Sequence, residues 1–339
     1  MWTAGIAWDG SGYEVACIAT DGTTAPTARF RADDVPGLVR HLGAVCGAQV
    51  LGVVDSTNGL LDGPLRGAGL RVLRADPWDL PARPVAGSVP ALTLARRGQA
   101  QDPRLVETDT ASGTLKGRDA DLARAQQLSA PVADALAREG LFLERGPAGL
   151  RQVALTFDDG PSAPYTDRVL DVLREYAVPA TFFCVGLHAQ AAPAVLTRIA
   201  DEGHCIGNHT WSHPFLPDLT RDEVLFQVDA TTRAIAAVTG EAPTLVRPPY
   251  GSQTPDALEC LAERGLTTVL WDRDTTDWAQ PSADTITANA LDGIVNGSVV
   301  LMHDGGGDRS QTVAALPVII EALLAADYRL VTVDRMTAG

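Results

Sequence analysis

From Val153 onward, short apolar runs alternate with longer stretches whose apolar positions recur every three to four residues. The runs are VALTF, ATFFCVG, CIGNH, LVRPP, TTVLWD, SVVLMHD and LVTV, with helical spacing between them near 166–177, 191–202, 221–239, 255–264, 283–295 and 312–326. Short apolar runs fit buried strands, and i, i+3, i+4 spacing fits amphipathic helices. Regular strand–helix alternation predicts a parallel sheet closed as a (β/α) barrel over 151–339. Chemistry in such barrels sits where strands end. The polar residues at the predicted strand ends are Asp158, Asp159, His209, Arg247, Asp274, Asp277 and His303.

The first part of the chain is patterned differently. Residues 3–8 and 13–20 read as strands joined by DGSG, with a third near 29–32. A helix is predicted from Asp34 to Cys46, with Val35, Leu38, Val39, Leu42 and Val45 on one face. QVLGVVD, a Gly-rich helix and RVLRAD follow, so residues 1–80 read as a small α/β domain. Residues 81–150 read as a linker and a helical segment, with Pro131 expected to break the helix over 119–140.

Charge changes the picture in the second half. The net charge is −15, and residues 151–339 carry 12 basic and 25 acidic side chains against 15 and 17 in residues 1–150. That imbalance disfavours a polyanionic partner and fits a neutral or cationic small substrate. The start, MWTAGIAWDGSGYEV, lacks a basic flank, an apolar core and a cleavage site, and no window reaches the ~18 apolar residues of a membrane span. Five scattered cysteines without a CxxC pair fit reduced thiols. The expectation is a soluble, cytoplasmic protein without membrane partners.

Two short segments carry candidate chemistry. HTWSH spaces His209 and His213 at i, i+4, which on a helical turn would point two imidazoles to one side; two solvated or core histidines would give the same spacing. LTFDDGPS places Asp158 beside Asp159 where an apolar run ends. Neighbours leaving a strand point in different directions, so one carboxylate could complete a metal site while the other accepts a proton. An Asx turn before Gly160-Pro161 would explain Asp159 but not its neighbour.

TFDDGPS, HTWSH, RPPYG, DTTDW and LMHD occur in this order across residues 156–304, and together they resemble the five motifs of the polysaccharide deacetylase family, the NodB-homology domain of carbohydrate esterase family 4. The resemblance runs from about Gln152 to Met336. It implies a distorted (β/α) barrel of the NodB type and a metal-dependent hydrolase of linear amides. It implies Asp159, His209 and His213 as ligands of one divalent ion, Zn²⁺ with Co²⁺, Ni²⁺ or Mn²⁺ as alternatives. Asp158 would be the general base, paired with Arg247. His303 would be the general acid, supported by Asp277. The backbone N–H of Tyr250 would help hold the oxyanion, and Trp278 and Leu301 would wall a pocket for the acetyl methyl; both also suit an ordinary core. Asp274, His188 and His204 read as structural. GHCIGNH departs from the pattern, with Cys205 where an acidic residue is usual.

The implied reaction removes an N-acetyl group from an amino-sugar substrate, with O-acetyl ester cleavage as the alternative. The expected cytoplasmic setting favours a soluble molecule or glycoside over cell-wall polymer. The first part resembles an RNase H-like domain of insertion-sequence transposases, with Asp9, Asp55, Asp119 and Asp121 as matching acids. That would imply a nucleic-acid-binding or nuclease function, but basic flanks for a phosphate backbone are thin, so a scaffold or recognition domain is preferred.

Overall fold

A computed structural model describes residues 1–8, 12–31, 34–47, 49–54, 61–75, 90–107 and 119–336. The chain forms two compact units, Met1–Gly117 and Arg118–Gly339. In the first, β1 (Trp2–Trp8), β2 (Gly12–Ala19) and β3 (Ala28–Arg31) form an antiparallel meander, followed by α1 (Val35–Cys46), β4 (Val50–Val54), α2 (Asp62–Gly67), β5 (Arg71–Arg74), α3 (Ala91–Gln99) and β6 (Val106–Glu107). The sheet order is β3-β2-β1-β4-β5-β6, with β4 parallel to β1 and β5. Helix α3 lies so close to β1 that a side chain at Gly5 would collide with the Ala91 carbonyl.

The small α/β unit is therefore present, and it extends past residue 80 through α3 and β6. The RNase H-like resemblance is not confirmed. Asp9 and Asp55 lie outside the described residues, and Asp119 and Asp121 belong to the second unit.

The second unit opens with α4 (Asp119–Arg138) and β7 (Phe142–Leu143). Pro131 sits inside α4 and does not break it. Ala125, Ser129, Ala133 and Leu136 form its buried face, and the Ser129 hydroxyl lies 2.7 Å from Ala125 O within the helix and 3.0 Å from Gln253 O outside it. Then come β8 (Gln152–Asp158), α5 (Tyr165–Tyr176), β9 (Thr181–Cys184), α6 (Gly186–Ala191), α7 (Pro193–Asp201), β10 (Cys205–Asn208), α8 (Arg221–Thr239), β11 (Leu245–Val246), α9 (Pro255–Glu263) and β12 (Thr267–Val269). The unit closes with β13 (Arg273–Asp274), α10 (Ala283–Leu291), β14 (Ser298–His303), α11 (Ser310–Ala325), β15 (Arg329–Leu330) and α12 (Val333–Met336). The strands pair in parallel in the order β13-β14-β8-β9-β10-β11-β12-β7, with β15 added on β8. Because β7 and β13 do not pair, the barrel is incomplete and distorted. Among the described residues, no helix is long and apolar enough to cross a membrane.

Strand alternation separates two packed layers. Val153, Leu155 and Phe157 of β8 face outward, against Leu170 and Leu173 of α5 and Ile319 and Ile320 of α11. Ala154 faces inward with Phe183, Leu245, Val269 and Val299. The same alternation turns Thr156 and Asp158 into the barrel, so β8 fixes where its last carboxylate points. Phe157 is fully buried, with its ring stacked on Phe182 at 5.2 Å. Phe157→Ala is expected to lower the unfolding free energy by about 3–5 kcal/mol, read by chemical denaturation; a loss below about 1 kcal/mol would show that this layer does not hold the barrel.

Candidate active site

At the end of β8 the backbone turns sharply: Asp159 has φ 77°, in the left-handed region where Asp is among the tolerated residues. The turn sends the two carboxylates to different partners. Asp158 Oδ1 accepts from an Arg247 guanidinium N–H at 2.7 Å, while Asp159 Oδ1 faces His213 Nε2 at 3.4 Å and His209 Nε2 at 3.5 Å. All five side chains are buried.

Arg247 is fully buried inside the barrel, an expensive position for a cation unless it is fully bonded. The same nitrogen donates to Thr156 Oγ1 at 2.8 Å, and the rest of the fork donates to Val269 O and Leu270 O, each at 3.1 Å. The plane lies over the Phe183 ring, 4.1 Å from its centroid. This fixed fork leaves Asp158 Oδ2 directed toward the histidines, 3.6 Å from His209 Nε2.

HTWSH is not a helical turn. It is a loop after β10, with positive φ at Thr210 and His213. Its amides are held by side chains: Thr210 N donates to Asn208 Oδ1 at 2.8 Å, and Trp211 N and Ser212 N donate to Gln227 Oε1 of α8 at 2.7 and 2.9 Å. The loop thus achieves what the helical reading assumed, two imidazoles on one side. His209 Nδ1 lies 2.7 Å from Arg247 O; a carbonyl can only accept, so Nδ1 carries the proton and Nε2 presents its lone pair.

Asp159, His209 and His213 suit a metal ion by three criteria. Their ligand atoms all lie within 4.8 Å of one another. The separations of 3.4 and 3.5 Å approximate the edges of a tetrahedron, about 3.3–3.4 Å for Zn–ligand distances near 2.0–2.1 Å. Asp159 Oδ1 is buried and accepts no hydrogen bond among the described residues, a deficit that a cation removes. Burial works against the Asp159 charge, but His213, His209 and His303 outweigh it and hold the carboxyl well below the usual carboxylate range.

His303, the last residue of β14, pairs in register with Asp158. Its Nδ1 lies 2.7 Å from Asp277 Oδ1, and its backbone N donates to Asp277 Oδ2 at 2.8 Å. Thr312 Oγ1 and an Arg309 N–H complete the Asp277 environment through Oδ2 and the backbone carbonyl. Burial disfavours the charged imidazole, but the Asp277 carboxylate overrides it and pushes the His303 pKa up to about 9.

Tyr250 has φ 60° in the turn Pro249–Gly251, and its ring meets the His213 ring edge-on at 4.4 Å. Leu301 is buried on the inward face of β14; Trp278 is half-buried on the turn Asp277–Ala279. Asp274 lies on β13 and accepts from Thr276 N at 2.7 Å, a turn-forming bond. His204 lies away from this cluster: its Nδ1 accepts from Ala180 N, its ring packs on Phe182, and burial lowers its pKa to about 4. Cys205 opens β10 and joins the inner apolar layer; burial and the nearby Asp334 raise its pKa.

Arg309 and Asp304 escaped the sequence reading, which named His188 only as structural. His188 Nδ1 lies 2.5 Å from Asp159 O and anchors the turn that carries Asp159. Arg309 donates to Gly305 O and Gly306 O as well as to Asp277 O. Asp304 accepts from Gly160 N at 3.1 Å and from Thr166 Oγ1 at 2.6 Å, and its own N donates to Asp158 O at 3.1 Å. A side chain at Gly160 would strike that carboxylate. Burial, joined by the charges of Asp159 and Asp158, pushes the Asp304 pKa up to about 7. The signal for Asp304 was its place next to His303 in LMHD.

Residues 145–269 match the family model described as polysaccharide deacetylase. A peptidoglycan-N-acetylglucosamine deacetylase of Bacillus cereus is 43% identical over 192 residues, 56% of this chain and 70% of the relative. A chitooligosaccharide deacetylase of Sinorhizobium fredii is 41% identical over 190 residues, 53% of this chain and 88% of the relative. A crystal structure of a peptidoglycan N-acetylglucosamine deacetylase in complex with 4-naphthalen-1-yl-N-oxidanyl-benzamide superposes with TM-score 0.59 at 39% identity, covering 61% of this chain and 97% of that one.

Two outcomes are expected from this geometry. Calorimetric titration should find one Zn²⁺ per chain, with binding abolished in His209→Ala; undiminished binding by that variant would place the ion elsewhere. Asp304→Ala should weaken Zn²⁺ binding about 10–100-fold, and unchanged affinity would show that the Asp159 turn holds its shape unaided.

Proposed function

This chain belongs to the polysaccharide deacetylase family, and from that premise we propose that it removes acetyl groups from the N-acetylglucosamine units of a glycan oligomer, with a named role for each site residue. It is a metal-dependent carbohydrate deacetylase acting on N-acetyl groups. The single observation that carries the assignment of roles is the split of Asp158 and Asp159 between Arg247 and the two imidazoles.

Asp159, His209 and His213 would hold one divalent ion, Zn²⁺ being suited to two nitrogen donors and one oxygen donor. When bound, the ion supplies Lewis acidity to the acetyl carbonyl and the attacking water. Asp158 accepts the water proton at Oδ2, while Arg247 keeps Oδ1 occupied and the carboxylate aimed. The Tyr250 N–H, presented by the positive-φ turn, stabilises the oxyanion of the tetrahedral intermediate. His303, with Nδ1 held by Asp277, donates a proton from Nε2 to the departing amine. Trp278 and Leu301 enclose the acetyl methyl.

The relatives named for peptidoglycan and chitooligosaccharides support a polymeric or oligomeric N-acetylglucosamine substrate over the small intracellular glycoside expected from the sequence alone. The test is acetate release from N-acetylglucosamine oligomers compared with O-acetylated xylan and N-acetylglucosamine itself. Release from the oligomers that stops on chelation and returns with Zn²⁺ supports the reading; activity confined to the monomer or to the ester overturns it.

The His303 pKa sets the pH dependence. The imidazole is protonated below about pH 9 and loses its proton above it, so kcat/KM should fall as pH rises through that value. Asp277→Asn removes the charge that raises the pKa, so the alkaline limb should move to lower pH. A limb that stays in place would assign it to another group.

A further inference from the structure

Arg247, which holds Asp158 in place, is fully buried, yet a cavity of about 850 Å³ beside β7 comes close to it. Leu270, Trp271 and Gly251 line that cavity, and Arg247 does not. The Leu270 carbonyl accepts an Arg247 N–H, so the guanidinium lies one residue behind the cavity wall. A buried cation so placed needs a barrier against water, and the half-buried Trp271 stands where that barrier is required.

Three observations fix the indole there. Its ring centroid lies 5.5 Å from the guanidinium carbon, within the range of a cation–π contact, and adds to the Phe183 ring at 4.1 Å. Its backbone is pinned on both sides of the gap in the barrel. Leu270 N donates to Leu143 O of β7 at 2.8 Å, while Asp272 accepts from Val299 N and Ser298 Oγ of β14 at 2.7 and 3.0 Å. Finally, the indole packs against the turn that bears Tyr250: Gly251 has φ 62°, and a Cβ there would meet Trp271 Cη2 at 3.0 Å. The same ring therefore touches the guanidinium that aims Asp158 and the neighbour of the Tyr250 N–H.

We propose that Trp271 is a positioning residue for the deacetylation and acts through Arg247, sealing the guanidinium from the cavity and keeping its bond to Asp158 dry. The inference rests on the reading of Asp158 as the base. Water that reached the guanidinium would compete with Asp158 Oδ1 for its N–H groups and screen the ion pair, freeing the carboxylate to turn away from the attacking water. Trp271 has no part in holding the substrate on this account, so its loss acts on kcat and not on KM.

The experiment compares wild type with Trp271→Leu and Trp271→Phe by two readouts. The first is solvent exchange of the Arg247 Nε–H, which donates to Val269 O, followed by nitrogen-edited NMR and identified by its loss in Arg247→Lys. Exchange should be slow in wild type and in Trp271→Phe, and at least about tenfold faster in Trp271→Leu. The second is acetate release from tetra-N-acetylchitotetraose by the Zn²⁺-loaded proteins. Trp271→Leu should lower kcat about 10–30-fold with KM unchanged, and the phenyl ring of Trp271→Phe should restore most of the loss. An Arg247 proton that exchanges freely in wild type overturns the seal whatever the variants do. Equal exchange in wild type and Trp271→Leu, or a raised KM with kcat intact, overturns it too and leaves the deacetylase reading standing. Wild type that releases no acetate overturns the deacetylase reading, and with it the role of Trp271 in that reaction.

Discussion

Two adjacent buried carboxylates can both remain charged only if each has its own source of positive charge. A single backbone turn with positive φ directs Asp158 toward the Arg247 guanidinium and Asp159 toward two imidazoles with which it would share a cation. Most of the barrel interior serves this division. Thr156, Val269 and Leu270 bind the guanidinium, Phe183 supports its plane, and His209 is locked into its ligating tautomer by the carbonyl of Arg247 itself. Asp158, the proposed base, and the proposed metal site are therefore linked through one arginine.

On the other side of β8 the same logic repeats. β14 pairs with β8 so that His303 lies in register with Asp158, and Asp277 holds the imidazole from behind. Arg309 and Thr312, at the start of α11, hold Asp277 in turn. The proposed acid and base are thus placed by neighbouring parallel strands, while loops and turns carry His213, Tyr250 and Asp277.

How much of this was legible in the sequence depended on the range of the interactions. Strand–helix alternation is a local signal, and it located α8 at 221–239 and the strand ends bearing Asp158, Arg247 and His303. Residue spacing misled at HTWSH, where i, i+4 suggested a helix but Asn208 and Gln227 satisfy the amides of a loop instead. The expected break at Pro131 is absent as well: α4 runs through it with Ala133 and Leu136 packed against Phe142, Leu258 and Leu270. Asp304, Arg309 and His188 act through partners 29 to 144 positions away, a relation that no pattern along the chain displays.

The most direct test of the division between the two aspartates is anomalous diffraction at the zinc edge from Zn²⁺-soaked crystals. The account requires one strong peak within about 2.0–2.2 Å of Asp159 Oδ1, His209 Nε2 and His213 Nε2, with Asp158 still bonded to Arg247. A peak ligated by Asp158, or none among these three side chains, would contradict it.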